Sequence, residues 1–146
     1  MARPIAHALL ATTTVLGLTL AVGAPAGAAE TRVACGASLA SVRTCAGIQT
    51  SGGDVRGYAR VTTSDRSLAV SVLRVELQRR PCGGRWASWT TRSGAEGGGT
   101  SDSLATTFVV RPARVQFRTA ARYLVTTRST LAAYSVTRTS PAYGTC

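Results

Sequence analysis

"RVQFRTAARYLVTT", Arg114 to Thr127, alternates along nearly its whole length. Val115, Phe117, Thr119, Ala121, Tyr123 and Val125 share one face. Arg114, Gln116, Arg118 and Arg122 share the other, interrupted by Ala120 and Leu124. Successive side chains of a strand point to opposite faces, so this pattern predicts a half-buried antiparallel strand, apolar toward a core and cationic toward solvent.

The same period runs through the rest of the chain. Val55, Gly57, Ala59 and Val61 lie opposite Arg56, Tyr58 and Arg60. Between Leu68 and Leu77 the apolar set slips by one residue at Val72-Leu73, and a β-bulge there would keep both halves pointing inward. Arg74, Glu76 and Gln78 then face outward. No 11-residue window after Ser38 carries a helical period. Seven strands are expected, over about 39–49, 54–63, 67–79, 85–92, 104–110, 114–127 and 131–140, with a short extra strand near 31–35. "TSGGD", "TSDRS", "PCGG" and "RPA" supply the turns between them. "GAEGGGTS", Gly94 to Ser101, has the outline of a phosphate loop, but Thr100 stands where its lysine belongs and no helix follows; it reads as a mobile hairpin tip. The expected class is all-β: an antiparallel sandwich of immunoglobulin-like or fibronectin-like architecture, with a small barrel as the alternative. No motif identifies a family.

The first 28 residues read as a secretory signal peptide: Arg3 at the start, an apolar stretch from Ala8 to Val22 broken by threonines, and small residues up to Ala28. The apolar stretch is shorter than the roughly 20 residues of a spanning helix. Residues 29–146 then form one soluble, extracellular domain, not an integral membrane protein.

All four cysteines lie in that domain. An even count in a small exported chain predicts two disulfides. Cys35–Cys45 would close a short loop. Cys82–Cys146 would join strand ends at one pole, because the third and seventh strands of an immunoglobulin-like path run the same way. A metal site has no support: no two cysteines are closely spaced, and the single histidine, His7, belongs to the signal.

The chain carries 17 basic residues against six acids. All are arginine, and only Arg3 falls in the signal. Such an excess favours anionic polymers or cell-surface components, without a specific nucleic-acid target. Without His or Lys the domain cannot build Ser-His-Asp, Cys-His or Ser-Lys machinery, and oxidised cysteines leave no thiolate. Glu30, Asp54, Asp65, Glu76, Glu96 and Asp102 are the only acid/base candidates, and nothing in their spacing pairs them. No catalytic residue and no cofactor is expected.

The candidate binding residues are Arg114, Arg118 and Arg122 on one strand, Arg74 on its neighbour with Glu76 as cross-strand counterweight, and Trp89. In "CGGRWASW", Cys82 to Trp89, the two tryptophans are three apart and fall on opposite strand faces unless a bulge intervenes. Trp86 is expected inward, near the Cys82 bridge, and Trp89 outward. The resulting expectation is a small secreted non-catalytic binding protein for anionic cell-surface polymers or another extracellular partner. The alternatives are an inhibitor of an extracellular enzyme presenting the loop 93–103, and an enzyme acting on glycosides through carboxylates alone.

Overall fold

Two antiparallel sheets pack face to face in the computed structural model, which describes residues 28–97 and 99–146. The expected signal peptide, apart from its last residue, lies outside the described residues. The nine strands are β1 (Ala29–Leu39), β2 (Val42–Ser51), β3 (Asp54–Thr63), β4 (Leu68–Pro81), β5 (Ala87–Ser93), β6 (Ser101–Ala105), β7 (Val109–Val110), β8 (Val115–Thr127) and β9 (Ala133–Thr139). One sheet has the order β1-β2-β3-β6, with β7 beside β6 on the same edge of β3; the other is β5-β4-β8-β9. The fold is therefore the expected all-β sandwich.

The alternation of β8 decides the packing. Phe117, Thr119, Ala121, Tyr123 and Val125 are all buried, while Arg122 is exposed. The phase slip in β4 is a bulge, as its pattern requires: Val72 pairs with Tyr123 and Arg74 with Arg122, leaving Leu73 as the extra residue. Val70 and Val72 before the bulge, and Val75 and Leu77 after it, all reach the core.

The core has two apolar clusters. One gathers Val42, Val61, Val70, Val72, Val75, Tyr123 and Val125 among others; the second holds Ile48, Val55, Leu77 and Phe117. Between them runs a polar waist. Thr119 separates Phe117 from Ala121 on β8, and Gly57 separates Val55 from Ala59 on β3. The Thr119 hydroxyl donates across the sheets to the Gly47 carbonyl at 2.7 Å. A Cβ at Gly57 would lie 2.8 Å from that hydroxyl oxygen, so glycine makes the room. Tyr123 likewise donates to the Cys45 carbonyl at 2.6 Å. Burial pushes the Tyr123 phenol well above its ordinary pKa, keeping it a donor.

Several elements differ from expectation. The strand sketched near 31–35 is a full eleven-residue edge strand. Its alternation is broken at Arg32, which adopts φ 51°, where the β1–β2 register shifts between Thr31 and Ala34. The stretch 104–110 splits into β6 and β7, because Thr106 turns to exchange bonds with Gly57: its backbone N–H donates to the Gly57 carbonyl and its Oγ1 accepts from the Gly57 N–H. The glycine-rich loop is no hairpin tip. It crosses from one sheet to the other, strapped to β4. Gly94 N–H donates to the Leu73 carbonyl at 3.0 Å and Val70 N–H to the Gly99 carbonyl at 3.0 Å. The Ser71 hydroxyl bonds both the N–H and the carbonyl of Gly97. A Cβ on Gly94 would meet the Val72 carbonyl oxygen at 2.2 Å, so glycine is there for close approach.

Both disulfides form as expected. Cys35 and Cys45 are register partners on β1 and β2, and Cys82–Cys146 joins the ends of β4 and the C-terminal segment. In the chain-entropy model their separations of 10 and 64 residues correspond to about 3 and about 4 kcal/mol.

Asp102 has a structural task. Its carboxylate accepts from the Val72 N–H at 2.7 Å, on the β4 edge beyond the end of β5, and from Ser103 N–H at 2.8 Å. Asp102→Ala is expected to cost about 1–3 kcal/mol in chemical denaturation, the penalty of an orphaned donor, with Asp102→Asn recovering most of it. Equal stability of wild type and Asp102→Ala would show that the Val72 N–H does not depend on this carboxylate.

Candidate anion-binding surface

The outer face of the sheet β5-β4-β8-β9 carries most of the sequence-predicted site. Arg74 and Arg122 stand opposite each other in the β4–β8 register, as do Gln78 and Arg118, and Arg80 and Gln116. The polar side chains link into a chain: Arg118 Nε donates to Gln78 Oε1 at 2.7 Å, and Gln78 Nε2 donates to Glu76 Oε1 at 2.8 Å. Arg74 pairs with Glu76 at 3.0 Å. Glu76 is thus the local counterweight, but along its own strand rather than across strands. Arg80 donates to the Gln116 side-chain carbonyl, and the Gln116 amide donates on to the Gly144 carbonyl. A shallow depression of about 140 Å³ lies between Arg74, Arg122 and Thr137.

Arg114 does not belong to this face. It precedes β8, with φ 58°, and turns toward the sandwich pole. Simple alternation extends the strand one residue too far, because a left-handed residue carries the same sequence letter as a strand residue.

The tryptophans are reversed relative to expectation. In β5, Leu77 pairs with Thr90 and Gln78 with Ser88, so Trp89 is the extra residue of a bulge. It turns inward and stacks on Phe117, with centroids 5.5 Å apart and planes 18° apart, closing the second core cluster. The Arg79 guanidinium covers it at 4.3 Å. Trp86 is on the outer face instead, where the guanidiniums of Arg80 and Arg118 lie 4.6 and 4.4 Å from its ring centre. Trp86 and Arg80 are thus part of the cationic face. The position of Arg80, two residues beyond Gln78 on β4, was the signal that could have revealed it.

A second cationic feature sits at the pole closed by Cys82–Cys146. Arg32, Arg111 and Arg114 line an open cleft of about 640 Å³ with Pro112, Val115 and Tyr143. Arg111 donates to the Tyr143 hydroxyl at 2.7 Å.

Four of the six carboxylates have local tasks. Glu30 accepts from the Tyr58 hydroxyl at 2.8 Å; burial first, and this bond second, push the Tyr58 phenol far above its usual pKa. Asp65 caps its own turn through Ser67, whose side-chain and backbone donors hold the carboxyl below its ordinary pKa. Glu76 and Asp102 are occupied as described. Among the described residues no group of three His, Cys, Asp or Glu side chains could hold a metal, and no helix is long and apolar enough to cross a membrane.

The reversed tryptophans give opposite expectations for stability. Trp89→Ala should cost about 2–3 kcal/mol, somewhat below the 3–5 kcal/mol of a fully enclosed ring. Trp86→Ala should cost about 1 kcal/mol or less, the scale of exposed cation–π contacts. Urea titration of both variants checks this, and a larger loss for Trp86→Ala would contradict the packing described.

Comparison with protein-family models, curated proteins and solved structures finds no match to this chain.

Proposed function

We propose that this protein is a secreted, non-catalytic binding module that holds an anionic extracellular polymer on the outer face of the sheet β5-β4-β8-β9. One observation carries the reading: Arg74, Arg80, Arg118 and Arg122 share that face with a single carboxylate, Glu76, and Arg74 stands directly opposite Arg122. Like charges opposite one another cost stability in the free protein. A polyanion laid over the face removes that cost, and guanidinium forks suit phosphate, sulfate and carboxylate oxygens. Gln78, Gln116 and Thr137 add neutral donors, and Trp86 offers an apolar edge.

Two disulfides support an oxidising, extracellular location. The sheet order β5-β4-β8-β9, with β3 next to β6 in the other sheet, supports reading the sandwich as immunoglobulin-like, with β4, β8 and β9 in the places of strands C, F and G. No contact of the glycine-rich strap favours the inhibitor reading, and the dispersed carboxylates offer no acid–base pair.

Purified protein should co-sediment with an anionic cell-wall polymer at low salt and release at high salt. Replacing Arg74, Arg118 and Arg122 together by Ser should lower the slope of log affinity against log salt by roughly 2, from about 0.7 per contacted charge on a single-stranded polyanion. Acidic-lipid vesicles and nucleic acid in parallel define the polymer class. Binding and salt slope unchanged in the triple variant would overturn this reading.

A further inference from the structure

We infer that the cleft at the disulfide-closed pole is a second, separate binding site, for an oxyanion ester: a ligand of roughly sugar size carrying a phosphate or sulfate group. Its evidence is independent of the sheet face.

The first observation is backbone conformation. Among the described residues only three that are not glycine have positive φ: Arg32 at 51°, Arg114 at 58° and Leu131 at 56°. Leu131 lies in the turn between β8 and β9. The two arginines come from opposite sheets, 82 positions apart in the chain, yet both line this cleft. Arg32 sits in the β1 bulge between Thr31 and Ala34. A left-handed residue in a bulge is ordinarily glycine, which alone adopts that conformation without strain. An arginine at such a position is unfavourable for folding, and strain held in place by its surroundings points to a functional demand on the side chain. The bulge and the turn each aim a guanidinium that a regular strand would send elsewhere.

The second observation is charge. Arg32, Arg111 and Arg114 form no ion pair with any described acid. Arg111 is held against Tyr143, its Nη1 donating to the hydroxyl at 2.7 Å with the guanidinium carbon 5.4 Å from the ring centre. Three guanidiniums around one hollow, none of them ion-paired among the described residues, fit an oxyanion, which accepts several N–H donors at once.

The third is size and rigidity. The cleft of about 640 Å³ is far larger than a bare phosphate and falls within the range of small organic ligands. Pro112, Ala113, Val115 and the Tyr143 ring give it an apolar wall. That wall is fixed: Tyr143 and Phe117 exchange backbone hydrogen bonds of 2.7 and 2.8 Å, Tyr143 packs on the second core cluster, and Cys146 is bonded to Cys82. A rigid wall lowers the ordering cost of binding.

Calorimetric titration with glucose 6-phosphate, glucose 6-sulfate, inorganic phosphate and glucose tests the site. The structure predicts saturable binding of at least one ester, weaker binding of inorganic phosphate and none of glucose; the preferred ester fixes the oxyanion class. The discriminating variant is Arg32→Gly with Arg114→Gly, which removes two guanidiniums where glycine suits the backbone, so its melting temperature should be unchanged or higher. Ester affinity should fall at least tenfold in it. Arg111→Gln provides the same reading without touching either strained position. The triple outer-face variant should keep ester binding while weakening polymer capture, so failure of either site is visible separately. No saturable binding of either ester, undiminished affinity in the glycine variant or Arg111→Gln, or inorganic phosphate binding as tightly as the esters would overturn the inference.

Discussion

Two buried hydroxyl bonds from β8 help register the sheets to each other. Thr119 and Tyr123, both on the inner face of β8, donate to the carbonyls of Gly47 and Cys45 on β2. A core of valine and alanine slides easily, because dispersion contacts are non-directional. Two buried donors with fixed acceptors do not, since displacing either leaves an unsatisfied polar group at about 1–3 kcal/mol. The glycines follow from this lock. Gly57 gives Thr119 its space. Gly47 lets the Tyr58 ring lie across β2, where a Cβ would come within 2.4 Å of it. Tyr58 in turn holds Glu30 at the start of β1.

The polar waist also divides the labour of the molecule. Above it the aliphatic cluster around Val70, Val72 and Val125 stabilises the body. Below it the smaller cluster of Phe117, Ile48 and Leu77, roofed by Trp89 and Tyr143, forms the floor of the pole. Few apolar residues serve that lower half, and there the Cys82–Cys146 bridge ties the C-terminal segment down. The pole cleft, with Arg80 and Arg118 of the outer face, therefore rests on the part of the sandwich fixed by cross-links as much as by packing, whereas Arg74 and Arg122 lie over the aliphatic cluster. The outer face joins the pole through Arg80, Gln116 and the Gly144 carbonyl.

Regular alternation made much of this legible in the sequence, and irregular backbone concealed the rest. The face of β8, the β4 bulge and both disulfides could be read because a long strand reports its own phase and a slip in it is visible. Trp89 could not be placed: β5 has only seven residues, and its bulge is defined against the register of β4, not by its own pattern. β1 was underestimated because Arg32 interrupts its period and its small residues, Ala34, Gly36 and Ala37, give little contrast between faces. The strap from Gly94 reads as a hairpin tip because glycine serves both turns and close approach, and only the Val72 carbonyl beside it distinguishes them.

The irregular positions are also where side chains are redirected. The β1 bulge turns out Arg32, the bend before β8 turns Arg114 to the pole, and the β5 bulge turns Trp89 into the core, with Trp86 left beside Arg80 and Arg118. What the first two present, and what the sheet face presents, is arginine alone. A guanidinium stays charged throughout the range in which proteins remain folded, whereas lysine and histidine lose their charge within or near it. The described residues contain neither lysine nor histidine. Salt screens exposed charges at distances beyond about 10 Å at 0.1 M, so the attachment proposed above is expected to weaken as ionic strength rises. A cross-linked sandwich whose only cations are guanidiniums, among the described residues, suits the extracellular binding role proposed above, because each fork can offer two parallel donors to an oxyanion.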